Sequence, residues 1–244
     1  MKKLLRKLLG IQKKTNQSVI DHLRRSGALI GEDLYIYAPN HTLIDSTCAY
    51  LLSIGDHVRI AEGAKILTHD YAWSALKGYA SDTVSPGCIL GAQSPVEIGS
   101  HVFIGMNAII TRGVKIGDHV IIGAGSVVTR DCESNAVYAG NPARKICTMD
   151  EFYRKRQALQ FSEARTIAHK YRERYGQNPP IEIFHEYFML FATREQAEGI
   201  EAFRAQMGRM GTYRETAAYM DAHAPMFNGF EAFLSACFDE DTTM

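Results

Sequence analysis

Between residues 98 and 129 an aliphatic side chain returns at every sixth position: Ile98, Ile104, Ile110, Ile116, Ile122 and Val128. Gly99, Gly105, Gly117 and Gly123 follow four of them directly. Small or β-branched residues recur four places after the aliphatic, at Val102, Ala108, Val114, Val120 and Ser126. A helix repeats every 3.6 residues and an ordinary strand every 2, and neither confines the aliphatic to every sixth place. A hexad does so when short flat strands wind into a triangular coil with the aliphatic pointing inward, the pattern of a parallel β-helix. One coil cannot bury its own aliphatics. Successive coils therefore stack at the strand spacing of about 4.8 Å, each isoleucine on the one below.

The phase begins earlier, at Ile30-Gly31-Glu32-Asp33-Leu34 and Ile36, slips between residues 40 and 50, and resumes at Ile54, Ile60 and Ile66. The 32 residues from Ile66 to Ile98 are not a multiple of six, so a segment leaves the coil there. That segment is placed at residues 71–95, with Trp73, Tyr79, Pro86 and Pro95. Long loops inside compact domains are usually functional. After Val128 the period changes. Thr148 with Glu151 forms a capping-box pattern, followed by apolar residues at helical spacing up to Gly176. Further helices are expected over 181–191, 194–207, 213–222 and 229–238, with Thr193, Thr212 and Asn228 as candidate starts. Phe184, Tyr187, Phe188 and Phe191 read as core. The predicted class is mainly β, a parallel β-helix with a short N-terminal helix and a C-terminal helical extension. The divisions are 1–28, 29–147 and 148–244.

Lys+Arg and Asp+Glu are both 27, which argues against a nucleic-acid binder. Five cysteines without a C-x-x-C read as reduced thiols of a cytoplasmic protein. Residues 1–14 carry six basic groups, no acid, and an apolar face of Leu4, Leu5, Leu8, Leu9 and Ile11. They lack the apolar run of a secretory signal. Two readings stay open: a short helix packed on the body, or a basic amphipathic helix resting on an anionic membrane surface.

Three segments carry a wider resemblance: Thr68-His69-Asp70; the run from Pro95 to Gly105; and Ile122-Gly123-Ala124-Gly125-Ser126-Val127-Val128-Thr129-Arg130-Asp131, followed by Gly140-Asn141-Pro142-Ala143-Arg144. Over residues 28–147 the chain resembles the hexapeptide-repeat, left-handed β-helix acyltransferases, in particular their sugar O-acetyltransferase branch. The coil's handedness comes from that resemblance alone, since parallel β connections are otherwise nearly always right-handed. The resemblance implies an acetyl-CoA-dependent O-acetyltransferase, a homotrimer with active sites shared between neighbouring chains, and a sugar or glycan acceptor of the capsular or surface-polysaccharide kind. Amino-sugar or serine-type acyl transfer and a non-catalytic scaffold stand as alternatives.

Acetyl transfer from a thioester needs a base for the acceptor hydroxyl, and neutral imidazole suits that work. It needs a donor for the oxyanion and no metal. His69 is the candidate base. His57, His101 and His119 share its repeat phase but sit between Gly-Asp or Gly-Ser and Val, as plain corner residues do. Asp70 orients the imidazole, orients the acceptor, or caps the loop. Asn40 is the candidate acceptor-binding asparagine, with an alignment uncertain by one or two places. Trp73 and Tyr79 offer flat faces for a pyranose, or anchor the loop. By resemblance Met106, Ala124 and Thr129 contact the pantetheine arm, Phe103 stands beside the donor channel where many relatives have Trp, and Arg144 lies near the nucleotide phosphate. Arg130 and Lys145 add positive charge. A zinc-dependent carbonic anhydrase of the same coil is disfavoured, because no two histidines have H-x-x-x-x-H spacing.

Overall fold

The computed structural model describes residues 14–239. The expectation for a basic N-terminal helix falls almost wholly on residues outside that range. The first described helix is α1, Asn16–Arg25, whose capping box is Thr15 with Ser18. The chain divides into two compact units, Met1–Phe152 and Tyr153–Met244.

The first unit is the predicted coil. Its strands are β1 (Leu29–Ile30), β2 (Tyr35–Ile36), β3 (Leu43–Ile44), β4 (Leu52–Ile54), β5 (Arg59–Ile60), β6 (Lys65–Ile66), β7 (His69–Asp70) and β8 (Ala92–Gln93). They continue with β9 (Val96–Ile98), β10 (Phe103–Ile104), β11 (Ile109–Ile110), β12 (Lys115–Ile116), β13 (Val120–Ile122), β14 (Val127–Val128), β15 (Ala136–Ala139) and β16 (Arg144–Thr148). Three sheets form the sides: β1-β4-β9-β12, β2-β5-β10-β13-β15-β16 and β3-β6-β11-β14. All their pairings are parallel except β15 with β16, where the chain turns back and closes the stack. Three parallel sides and a hexad repeat fit the left-handed β-helix.

Register follows the hexad. Ile60 pairs with Ile104 and Ile104 with Ile122; Ile66 pairs with Ile110 and Ile110 with Val128. All six residues of the 98–128 series are buried, and each buried aliphatic contributes about 1.5–3 kcal/mol. The glycine after the aliphatic is required by close approach. A Cβ on Gly99 would stand 2.8 Å from the Gly117 carbonyl carbon in the next coil.

The corner after the first side is a column of left-handed residues, Asp33, His57, His101, His119 and Asn135, with φ between 52° and 59°. Asp, Asn and His tolerate that conformation better than most side chains. The three imidazoles stack, with centroids 4.8 and 4.7 Å apart. His101 is held below the ordinary histidine pKa by burial and by the charges of His119 and His57. These histidines are corner residues, as their sequence context predicts.

The excursion departs and returns as an antiparallel hairpin, with His69 opposite Gln93 and Asp70 opposite Ala92. The arm proper is residues 71–91, shorter at its far end than predicted, because Ala92 and Gln93 already pair with the coil edge. It holds one short helix, α2 (Trp73–Leu76).

The second unit is helical. Entering it is α3 (Met149–Tyr175), capped by Thr148 and Glu151 as predicted: the Glu151 amide donates to Thr148 Oγ1 at 3.2 Å, and Glu151 Oε2 accepts from the Thr148 amide at 2.8 Å. Gly176, at φ 68°, stops it. Four expectations need correction. Residues 181–191 form two 3₁₀ turns, Ile181–Phe184 and Phe188–Leu190, although Phe184, Phe188 and Phe191 keep a helical spacing; Tyr187, between the turns, leaves the helical region at φ −124° and ψ 4°. The segment 194–207 breaks at Ile200 into α4 (Arg194–Gly199) and α5 (Glu201–Met207). Thr193 caps α4 with Gln196, but Thr212 makes no side-chain cap to α6 (Tyr213–Ala222). Gly229, not Asn228, precedes α7 (Phe230–Phe238). The aromatics at 184, 188 and 191 are core, buried with Phe203 and Phe233. Helical residues outnumber strand residues, so "mainly β" describes the first unit and not the chain: its strands are only two to five residues long, while α3 alone has 27.

Candidate active site

The site is built at the corner where β6 ends and the arm departs. β3 lies on β6 with Leu43 opposite Lys65 and Ile44 opposite Ile66. The Asp45 amide continues that ladder, donating to the Ile66 carbonyl at 2.9 Å. This places the Asp45 carboxylate beside Thr68 and His69. Asp45 and Thr68 are both buried, at 7% and 0% exposure.

Four donors meet the Asp45 carboxylate. The Thr47 amide donates to Oδ1 at 2.9 Å. The Thr68 amide, at 3.2 Å, and the Thr68 hydroxyl donate to Oδ2. His69 Nδ1–H also donates to Oδ2. Burial alone would raise the carboxyl's pKa. The hydrogen bonds from Thr68, Thr47 and His69 outweigh it and bring the value to about 2. Asp45 is therefore a fixed anion at neutral pH. An imidazole donating through Nδ1 to a carboxylate keeps its lone pair on Nε2, the tautomer of a general base. The His69 side chain is 16% exposed. Its ring meets the edge of Tyr71 at 4.6 Å and 77°, and Tyr71 lies 6.3 Å from Trp73.

Asp70 does not orient the imidazole; that position belongs to Asp45. The Asp70 carboxylate accepts from the Ala72 amide at 3.0 Å and from Arg112 Nε at 2.6 Å. Within the chain these contacts are those of a loop cap. The Arg112 guanidinium holds the Asp70 carboxyl below the usual carboxylate range.

Asn40 stands at the corner entering β3, across that side of the coil from His69. Its side-chain amide is taken up by the Lys14 backbone, accepting at 2.9 Å and donating at 3.3 Å. It is not brought to the imidazole. Trp73 and Tyr79 are both on the arm, Tyr79 at 55% exposure.

The expected donor residues gather further along the same side. Met106 and Ala124 occupy the corner before β11 and β14, with the Gly125 amide donating to the Met106 carbonyl at 2.8 Å. Thr129 and Arg130 follow β14 at the far corner, in the column of Leu67 and Thr111. Two strand spacings, about 9–10 Å, separate the β6 layer from β14. The Ala143 amide donates to the Val127 carbonyl at 2.8 Å, which lays the 141–144 turn over the last coil. Arg144 is exposed there, with Nη1 donating to the Ala143 carbonyl at 3.0 Å. Phe103 lies on the adjacent side, 40% exposed. Lys145 is not an unencumbered cation: Nζ pairs with Glu133 at 3.1 Å, which raises its pKa.

Asp45, Tyr71 and Arg112 are the site residues that motif reading missed. Asp45 had one signal, an acid directly after an inward aliphatic where other coils carry a small or apolar residue. The phase slip around it hid that position. Among the described residues no group of three or more His, Cys, Asp or Glu side chains is placed to hold a metal, and no helix is long and apolar enough to cross a membrane. In the helical unit an open cleft of about 550 Å³ is lined by Tyr153, Gln157, Met189, Tyr219 and Met226 among others. Its imidazole, His223, is engaged by the Tyr219 carbonyl.

A family model described as bacterial transferase hexapeptide (six repeats) matches residues 95–130. Protein CapG of Staphylococcus aureus is 40% identical over 156 residues, covering 64% of this chain and 83% of that protein. Among solved structures, a maltose O-acetyltransferase from Clostridium difficile 630 is 30% identical with a TM-score of 0.39, covering 60% of this chain and 83% of the other. The polySia-specific acetyltransferase NeuO is 26% identical with a TM-score of 0.33, covering 49% and 48%. Neither solved structure is close enough in three dimensions to lend its geometry to this site.

Proposed function

Because the chain belongs to the bacterial hexapeptide-repeat transferases, the family of its repeat and of its CapG relative, we propose that it transfers acetyl from acetyl-CoA to a sugar or glycan-precursor hydroxyl. The observation that carries this reading is the Asp45–His69 pair at the root of the arm. His69 Nε2 takes the acceptor's hydroxyl proton as the oxygen attacks the thioester carbonyl. Asp45 stabilises the imidazolium that forms and stays ionised throughout. Collapse of the tetrahedral intermediate breaks the C–S bond, and the departing thiolate takes the proton from His69. Each turnover thus returns the imidazole to its starting state.

The donor reading assigns Met106, Ala124 and Thr129 to the pantetheine arm, Phe103 to the channel wall, and Arg144 with Arg130 to the phosphates. The acceptor reading assigns the sugar to the arm, with Trp73 and Tyr79 as stacking faces. Shared sites in a homotrimer would bring a second chain's donor residues to His69, which suits the two-layer gap between His69 and Ala124 within one chain. A cytoplasmic location accords with the use of acetyl-CoA.

The test is thiol release from acetyl-CoA with a panel of sugar, nucleotide-sugar, amino-sugar and serine acceptors, the product identified by mass shift. We expect O-acetylation of a sugar. His69→Ala should lower kcat by about 10²–10⁴-fold while leaving the protein folded. Near-normal turnover in that variant would remove His69 from the mechanism, and exclusive N-acetylation would replace the hydroxyl acceptor.

A further inference from the structure

The arm, residues 71–91, has no buried side chain. A segment without a core cannot fix its own position, so its placement must come from its root. There the backbone supplies little. Two residue pairs join β7 to β8, and the Ser94 amide donates to the Thr68 carbonyl at 3.0 Å. A further fastening among the described residues is the ion pair between Asp70 and Arg112.

Arg112 is itself held on rigid structure. It follows β11, whose Ile110 is fully buried. The preceding Thr111 donates to the Val128 carbonyl through its amide and its hydroxyl, each at 3.0 Å. The following Gly113 amide donates to the Pro95 carbonyl at 2.9 Å. From that base the guanidinium reaches Asp70, whose other oxygen accepts from the Ala72 amide and so fixes the chain on both sides of Tyr71. The Tyr71 ring in turn packs nearly perpendicular to that of His69. The coil thus reaches the imidazole from two directions: through Asp45 on the Nδ1 side, and through Arg112, Asp70 and Tyr71 on the arm side.

We propose that Arg112 is a positioning residue for acyl transfer: its ion pair with Asp70 latches the arm's root to the coil and keeps Tyr71, and an acceptor held by the arm, in place over His69. This rests on the acetyl-transfer reading above. Both members of the pair are about 40% exposed, and exposed ion pairs contribute little to global stability. Breaking the latch should therefore leave the thermal midpoint of the protein nearly unchanged and act on turnover. Misplacement of a reacting group by about 1 Å can cost on the order of 10²-fold in rate.

The chain supplies its own reporter, because Trp73 is its single tryptophan and opens α2 directly beyond the latch. The variants are Arg112→Met, Arg112→Lys, Asp70→Asn and the double Asp70→Asn/Arg112→Met. In Arg112→Met we expect Trp73 fluorescence anisotropy to fall, kcat to drop about 10- to 100-fold, and KM for acetyl-CoA to stay within about twofold. Arg112→Lys should restore much of both signals, and the double variant should be no worse than the poorer single one. Unchanged anisotropy in Arg112→Met overturns the latch, and so does wild-type kcat in that variant. A wild-type protein that transfers acetyl to nothing overturns the acetyl-transfer reading instead, and the anisotropy then judges the latch without reference to activity.

Discussion

Asp45→Asn is the sharpest test of the site, because the amide keeps the size of the side chain and removes its charge, with the Thr47 hydrogen bond lost besides. Three donors converge on Oδ2: the Thr68 amide, the Thr68 hydroxyl and His69 Nδ1. The asparagine carbonyl must take that place. Its NH₂ then faces the Thr47 amide, which donated to Oδ1 at 2.9 Å. Nδ1 keeps an acceptor, so the histidine tautomer survives. What disappears is the anion that stabilises the imidazolium during proton transfer. A hydrogen bond to a charged partner contributes about 1.5–3 kcal/mol, and about 1.4 kcal/mol is a factor of ten in rate. The expected loss in kcat is about 10- to 100-fold, with KM for acetyl-CoA unchanged. Thiol release under saturating acceptor measures it, with circular dichroism melts confirming a folded protein at the assay temperature. Adding Asp45→Asn to His69→Ala should cost almost nothing further, because Asp45 acts only through the imidazole. A folded Asp45→Asn protein with kcat within about twofold of wild type would refute the dyad.

Two more outcomes follow from the same geometry. Asp45 has its carboxyl at about 2 against an ordinary 3.8, so it stabilises the folded state above pH 4 and that stability is lost as pH falls from about 4 to about 2. The difference amounts to about 2 kcal/mol, and denaturant midpoints measured across that window should fall less steeply in Asp45→Asn than in wild type. Arg144→Ala should raise KM for acetyl-CoA about tenfold or more while changing kcat little, as expected for a group that binds donor and transition state alike; an unchanged KM removes Arg144 from the donor site.

The coil was legible because its rule is local and repeated. Six inward aliphatics at one spacing, with glycine where an added Cβ would stand 2.8 Å from the next coil, leave few other folds. His69 stood out as a candidate by contrast: it breaks the Gly-Asp-His-Val corner pattern and stands where the phase is lost. Asp45 was not, because the phase runs eight residues from Ile36 to Ile44 and is interrupted again by the 3₁₀ turn Ala49–Leu51. Its partner lies 24 residues away, at a separation set by stacking and by no motif. Arg112 lies 42 residues from Asp70 and reads as an ordinary corner cation until the coils are stacked. Asn40 was placed by resemblance, with an alignment uncertain by one or two places, and its side-chain amide meets the Lys14 backbone. The helical unit resisted for another reason: Phe184, Phe188 and Phe191 keep a helical spacing in the sequence, yet the chain there breaks into two 3₁₀ turns.

The hairpin root of the arm has a further consequence. Thr68 and Ser94 are hydrogen-bonded neighbours, so the coil meets the excursion as one closed gap whatever the excursion contains. An insert that keeps Asp70, Tyr71 and Ala72 at its root could be longer or shorter beyond them without shifting the register of any layer. Under the proposed reading, choice of acceptor lies with the outer arm and the chemistry of transfer with the coil, so exchanging the outer arm between relatives should redirect one while sparing the other.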